Sequence, residues 1–257
     1  MNKPKIHFFK LIFNEDNNRI VPEHYLIAVT EASFFMLVIG GIFTVIFTPE
    51  VFSSNPILDR LGYNNFCIGI DFPPANYFAF PMAMLVVYFA IQYSIYDRLR
   101  TNIVKERLSN FQAKYSIYTN NLMIIGFTSV TFFTIINPMQ SVWLHTIFFI
   151  NVIVLRALVL HANFLEHPNP ILSYKIYTYL NSFVSFFLPL FYVINYINYD
   201  QNIAMGIFDV KPLIPARIVQ SLDYLWFILL GFCGIFVQEA EHIKVKYKII
   251  SKEPSFN

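Results

Sequence analysis

Charge is scarce in this chain. Asp, Glu, Lys and Arg make up 13% of its 257 residues, against about 25% in an ordinary soluble domain. The formal net charge of +2 is too small to argue for a nucleic-acid partner. Cysteine is scarce too: Cys67 and Cys233 stand far apart, and no Cys-x-x-Cys occurs. Neither a redox dithiol nor a thiolate zinc site is therefore indicated. Also missing are a Gly-rich phosphate loop, a nucleophile elbow and a His-Glu-x-x-His pair, which removes the commonest signatures of phosphoryl transfer, serine hydrolysis and zinc hydrolysis. The short apolar run His7–Phe13 is followed by Asn14–Arg19, with no small-residue cleavage site, so no cleavable secretory signal is expected.

Long apolar stretches are present. Six can be drawn: Leu26–Thr48, Tyr77–Tyr96, Tyr118–Ile136, Ser141–Phe164, Ile176–Asn198 and Arg217–Val237. Each is about 20 residues long, enough to cross roughly 30 Å of hydrocarbon at about 1.5 Å per residue. They use up so much of the chain that no separate aqueous domain fits between them. The expected fold is all-α, a polytopic transmembrane bundle of six helices spanning 26–240. An N-terminal interfacial arm (1–25) precedes it and a basic C-terminal tail (241–257) follows.

The charges orient the bundle. Fourteen of the eighteen Lys and Arg fall in alternate gaps: Lys3, Lys5, Lys10 and Arg19, then Arg98, Arg100, Lys105, Arg107 and Lys114, then Lys175, and finally Lys244, Lys246, Lys248 and Lys252. The opposite gaps hold Arg60, Lys211 and Arg217. By the positive-inside rule both termini face the cytosol, or the matrix of a mitochondrion. Asn137-Pro138-Met139-Gln140 reads as a tight turn between the third and fourth segments. The second segment is expected to run on as a helix into water, with Leu99, Ile103 and Leu108 at nearly helical spacing. No internal repeat is evident, which counts against an inverted-repeat transporter.

Ionisable residues inside apolar segments are costly and are functional candidates by default. Glu31 lies about 9 Å, and Arg156 about 12 Å, from the basic end at about 1.5 Å of rise per residue. Similar depth and opposite sign suggest a pair locking the first and fourth segments. His145 and Asp223 both lie near the opposite end and suggest a second, hydrogen-bonded pair. Each pair is a structural or lipid-contact candidate. His145 and His161 are 16 residues apart on one segment, about 24 Å along a helix, so they cannot ligate one haem iron. The groups His161, Glu166, His167 and Glu239, Glu241, His242 read as solvated segment ends. No catalytic residue, cofactor or metal is expected, although a bound phospholipid is compatible with these features. Gly40, Gly41, Gly231 and Gly234 suit close helix approach, Pro81 and Pro189 suit kinks, and Trp143 and Trp226 suit interfacial anchoring.

Ile68-Gly69-Ile70-Asp71-Phe72-Pro73-Pro74-Ala75-Asn76-Tyr77-Phe78, leading into a segment that ends Tyr96-Asp97-Arg98, resembles the Frag1/DRAM/Sfk1 family. Leu144-His145-Thr146-Ile147-Phe148-Phe149 resembles that family's His-containing helix, and Asp223-Tyr224-Leu225-Trp226 its acidic-aromatic start. The family's Glu after the prolines is replaced here by Ala75 and Asn76. The resemblance implies six spans, both termini inside, and an endomembrane role in autophagy or lipid-anchor handling.

Three functional expectations result. The first is a non-catalytic accessory subunit of a larger membrane complex, with other integral membrane proteins and lipids as partners and a respiratory-type assembly of the mitochondrial inner membrane as the expected setting. The second is a Frag1/DRAM-like protein of lysosomal or Golgi membranes. The third is a small-solute or ion transporter with Glu31 and Arg156 at its centre.

Overall fold

The computed structural model describes residues 20–239. The N-terminal arm as far as residue 19, and the basic tail, lie outside the described residues. The described chain is almost wholly helical: α1 (Pro22–Phe47), α2 (Pro56–Leu61), α3 (Ala75–Val104), α4 (Asn110–Phe127), α5 (Ser129–Ile135), α6 (Val142–Glu166), α7 (Leu172–Ala204), α8 (Ala216–Gly231) and α9 (Cys233–Phe236), with short 3-10 turns at Pro49–Phe52, Phe66–Ile70 and Lys105–Arg107.

Local chemistry sets several of these boundaries. Pro22 opens α1, where its fixed φ is already helical and its missing N–H is not needed. Asn55 caps α2 by accepting from the backbone N–H groups of Ile57 and Leu58, and Gly62 closes it at φ +74°. Ser109 and Gln112 form a reciprocal capping box on α4. The expected turn between the third and fourth segments is present, with Gln140 N–H donating to the Asn137 carbonyl at 2.9 Å.

Among the described residues four helices are long and apolar enough to cross a membrane: Pro22–Phe47, α3 with its 3-10 extension to Arg107, Val142–Glu166 and Leu172–Ala204. The other two expected segments are each in two pieces. The third breaks at Thr128, between α4 and α5. There the Thr128 and Ser129 hydroxyls donate to the carbonyls of Ile125 and Gly126. Such hydroxyl bonds compete with the backbone ladder and loosen a helix. The sixth breaks at Phe232, between α8 and α9.

Packing follows chain order. α1 packs on α3, α3 on α4, α4 on α6, α6 on α7 and α7 on α8, and α8 returns to α1 to close the ring. The segment between α1 and α3 is not a free loop. Ile57, Leu61, Cys67, Ile68 and Ile70 are buried, and the Phe66–Ile70 turn lies against α1. A Cβ on Gly69 would come within 2.8 Å of the Gly41 Cα, and the Thr44 hydroxyl donates to the Gly69 carbonyl at 2.8 Å. Gly40 and Gly41 thus admit this turn rather than another long helix.

The polarity of the bundle is inverted relative to a soluble protein. Its outer face exposes Ile42, Ile46, Phe80, Met84, Tyr88, Ile147, Phe183, Phe186 and Ile228, while Glu23, Asp97, Arg100, His145, Arg156, Glu166 and Asp223 are buried. Water does not reward such an arrangement, but a hydrocarbon solvent does. With its four long apolar helices, the chain has the build of an integral membrane protein.

Candidate functional site

The buried charges gather at the two ends of the bundle, with Arg156 between them. At the basic end, α3 carries a single inward stripe of Ala75, Ala79, Ala83, Val86, Ala90, Tyr93, Asp97, Arg100 and Val104. The period that begins with small apolar residues ends with charges. Arg100 forms ion pairs with Glu23 of α1 and Asp97 of its own helix, and its Nε lies 3.3 Å from Glu166 of α6. Three carboxylates against one guanidinium leave an excess of formal negative charge, and neutral donors surround it. Asn120 donates to Asp97 at 2.7 Å, Asn163 to Glu23 at 3.0 Å, and Thr101 to Glu166 at 2.5 Å. Tyr174 of α7 donates to Asn163 at 2.7 Å. The network therefore joins α1, α3, α4, α6 and α7.

This cluster was not anticipated from the sequence. The sequence reading puts Arg100 on a helix entering water and Glu166 among solvated ends, yet both are buried, as is Asp97. The expected apolar face of that extension is instead turned outward, with Leu99 and Ile103 exposed. The signal was available in the 3–4–3–4 spacing that links Ala79 to Arg100 through Tyr93. Next to the cluster, His167 Nε2 lies 3.2 Å from the Glu239 carbonyl and His24 lies 2.6 Å from the Glu239 carboxylate, so part of the second expected group meets the first. Glu241 and His242 lie outside the described residues.

Arg156 is buried at mid-bundle, with neutral acceptors around it. It donates to Asn181 Oδ1 at 2.7 Å, to the Tyr177 hydroxyl at 2.9 Å, and at 3.4 Å to both the Thr30 hydroxyl and the Leu229 carbonyl. The expected partner Glu31 is not in this set. Its neighbour Thr30 is, because one residue along a helix turns the side chain by about 100°. The residue that reaches Arg156 from α1 is therefore Thr30.

At the opposite end, the expected His145–Asp223 pair is likewise replaced. His145 Nε2 lies 3.4 Å from Asp71 Oδ2, and its Nδ1 lies 2.8 Å from the Ile136 carbonyl. A carbonyl only accepts, so Nδ1 carries the proton and Nε2 faces the carboxyl. Burial pushes the Asp71 carboxyl well above the usual carboxylate range, which favours the neutral acid beside a neutral imidazole. Asp223 instead takes a 3.5 Å contact from the Tyr63 hydroxyl. Burial and the nearby Asp223 push the Tyr63 phenol up. Cys67 is raised as well, by burial and by Asp71 and Asp223, so it stays a thiol rather than the reactive thiolate. The 48–74 segment is what redistributes these partners, since Tyr63 and Asp71 both come from it.

Around this end Asp200 accepts from Trp143 Nε1 at 2.6 Å and from Arg60 at 2.7 Å, and Arg60 lies over the Tyr199 ring at 4.7 Å. Trp143 thus sits at the rim. Trp226, expected there too, is a core residue at 2% exposure, packed edge-on against Phe149. Among the described residues no group of three or more His, Cys, Asp and Glu is arranged to hold a metal ion. Both ends can fix helices and share protons through hydrogen bonds. No family model, curated protein or solved structure matches the chain.

Proposed function

We propose that this is a six-pass, non-catalytic integral membrane protein with both termini on the basic side, acting as an accessory subunit of a larger membrane complex. The observation that carries this reading is the Arg100 network, whose buried side chains are engaged in bonds between helices. The six-pass path is supported by the closed ring of neighbours in chain order and by the basic residues Arg98, Arg100, Lys105, Lys114 and Lys175 flanking one end. A rigid core and an outer face rich in exposed aromatic and aliphatic side chains suit a protein that offers surface to other membrane proteins. A respiratory-type assembly of a mitochondrial inner membrane is the proposed setting.

The test is mild solubilisation followed by native electrophoresis and mass spectrometry of the band. Respiratory subunits co-migrating in stable ratio are expected. A free monomer from lysosomal or Golgi membranes would sink this reading and favour the second, a Frag1/DRAM/Sfk1-like role in autophagy or lipid-anchor handling. One observation favours that second reading: Asp71 of the Pro-Pro motif and His145 of the His-containing helix, both part of the resemblance, meet at 3.4 Å.

A further inference from the structure

A groove of about 570 Å³ runs down the outside of the bundle between α7 and α8. Its lining is Phe183, Phe187 and Phe191 on one side, and Ile218, Ser221 and Leu222 on the other, with Arg217 at one end. The three phenylalanines are spaced i, i+4, i+8, so they stack along one helix face over about 12 Å at about 1.5 Å per residue. Their rings form a ladder, with centroids 4.7 Å apart for Phe183 and Phe187 and 5.8 Å apart for Phe187 and Phe191.

The groove has a direction. Asn195, just beyond Phe191, is bonded to the backbone of Ile214, just before α8. Phe191 and Arg217 therefore lie toward the loop-covered end, and Phe183 lies deeper. Arg217 is exposed in the first turn of α8, where the free backbone N–H groups of the helix start add positive potential. Among the described residues its guanidinium makes no hydrogen bond or ion pair. The Ser221 hydroxyl is already used on the Arg217 carbonyl at 2.8 Å, so the remaining groove wall offers apolar contact.

We propose that this groove binds one anionic phospholipid from the leaflet on the positive-poor side. An acyl chain lies along the phenylalanine ladder and the headgroup phosphate pairs with Arg217. The occupant is identified by matching chemistry. An apolar channel of this length takes a hydrocarbon chain, and the guanidinium at its mouth takes a phosphate, bidentately and with charge assistance; a phosphate with no choline cation beside it keeps its whole charge for that pair, which makes the occupant an anionic lipid. The site is independent of the accessory role proposed above and needs only that the protein be inserted in a bilayer.

The experiment uses the full chain in nanodiscs of equal parts phosphatidylglycerol and phosphatidylcholine, released into detergent for native mass spectrometry. Retention of phosphatidylglycerol over phosphatidylcholine by roughly tenfold is expected. Arg217→Gln should abolish the preference, Arg217→Lys should keep part of it, and Lys211→Gln, on the same side of the bundle, should leave it intact. Leu222→Trp, which fills the groove, should lower retention of both lipids and decides the matter if Arg217→Gln does not fold. Equal retention by the wild type, a preference that survives Arg217→Gln, or retention unchanged by Leu222→Trp overturns the proposal.

Discussion

At the basic end, Arg100 gathers carboxylates from three helices, whereas at the loop-covered end Asp71 and Asp223 are buried against an imidazole and a phenol. Both clusters tie elements distant in sequence, yet they do so at different electrostatic cost. The Arg100 network surrounds a buried guanidinium with carboxylates from three helices, and a buried ion that loses its partner is strongly unfavourable. In the interior of the other end burial pushes Asp71 toward its neutral form, 3.4 Å from His145, while the Arg60–Asp200 ion pair stands at the partly exposed rim. A bundle in hydrocarbon can thus be closed by a charge lock or by a nearly neutral polar lock. The first should be the more brittle to deletion, and the second the more sensitive to pH.

The sharpest way to break that contrast is Arg100→Ala. It strands Glu23, Asp97 and Glu166 without a cation and should cost about 3–5 kcal/mol, read as a large fall in the thermal midpoint in detergent and in protein abundance. A loss under about 1 kcal/mol would mean that the carboxylates are not held as ions there. Next in size is Gly69→Ala, which thrusts a Cβ onto Gly41 and should lift the Phe66–Ile70 turn from α1. Overpacking of this kind costs about 1–3 kcal/mol, and protease cleavage within 48–74 should rise while the basic end stays protected. Uniform loosening of both ends would remove the claimed independence.

The smallest effect should come from Asp71→Asn. The Asp71 carboxyl is raised in the folded state, so the stability it contributes is full below the ordinary Asp value of about 3.9 and is lost as pH rises through the folded value. The wild type should therefore lose stability relative to Asp71→Asn as pH rises from about 4 toward the folded value. The difference is read from paired melting curves. A wild type that gains stability relative to Asp71→Asn as pH rises toward about 4 would show instead that Asp71 is ionised and paired with a protonated His145.

Much of the frame was legible in the residues. The apolar runs of α1, α3, α6 and α7 emerge as the long helices, and Asn137–Gln140 forms its turn. Two further runs emerge broken, at Thr128 and Phe232; at the first, the Thr128 and Ser129 hydroxyls bond the preceding carbonyls, which a window average does not register. The individual candidates were Glu31, Arg156, His145 and Asp223. Three are buried, and each meets a partner other than the one expected. Asp71, Tyr63, Glu23 and Glu166 lie in connections or at segment ends, where hydropathy counts a residue as solvated, yet all of them are buried.

What the chain by itself determined is where along its length hydrocarbon-compatible helices form, and how far each polar group stands from an end. Both are one-dimensional quantities: hydropathy sums locally, and a helix rises by a constant step per residue. Only the tertiary structure decided which groups meet. That depends on the angle each side chain takes about its helix, on which helices become neighbours in the ring, and on a connecting segment that folds back to supply Tyr63 and Asp71. Thr30 rather than Glu31 facing Arg156 is the smallest instance: a single residue of rotation that depth does not record.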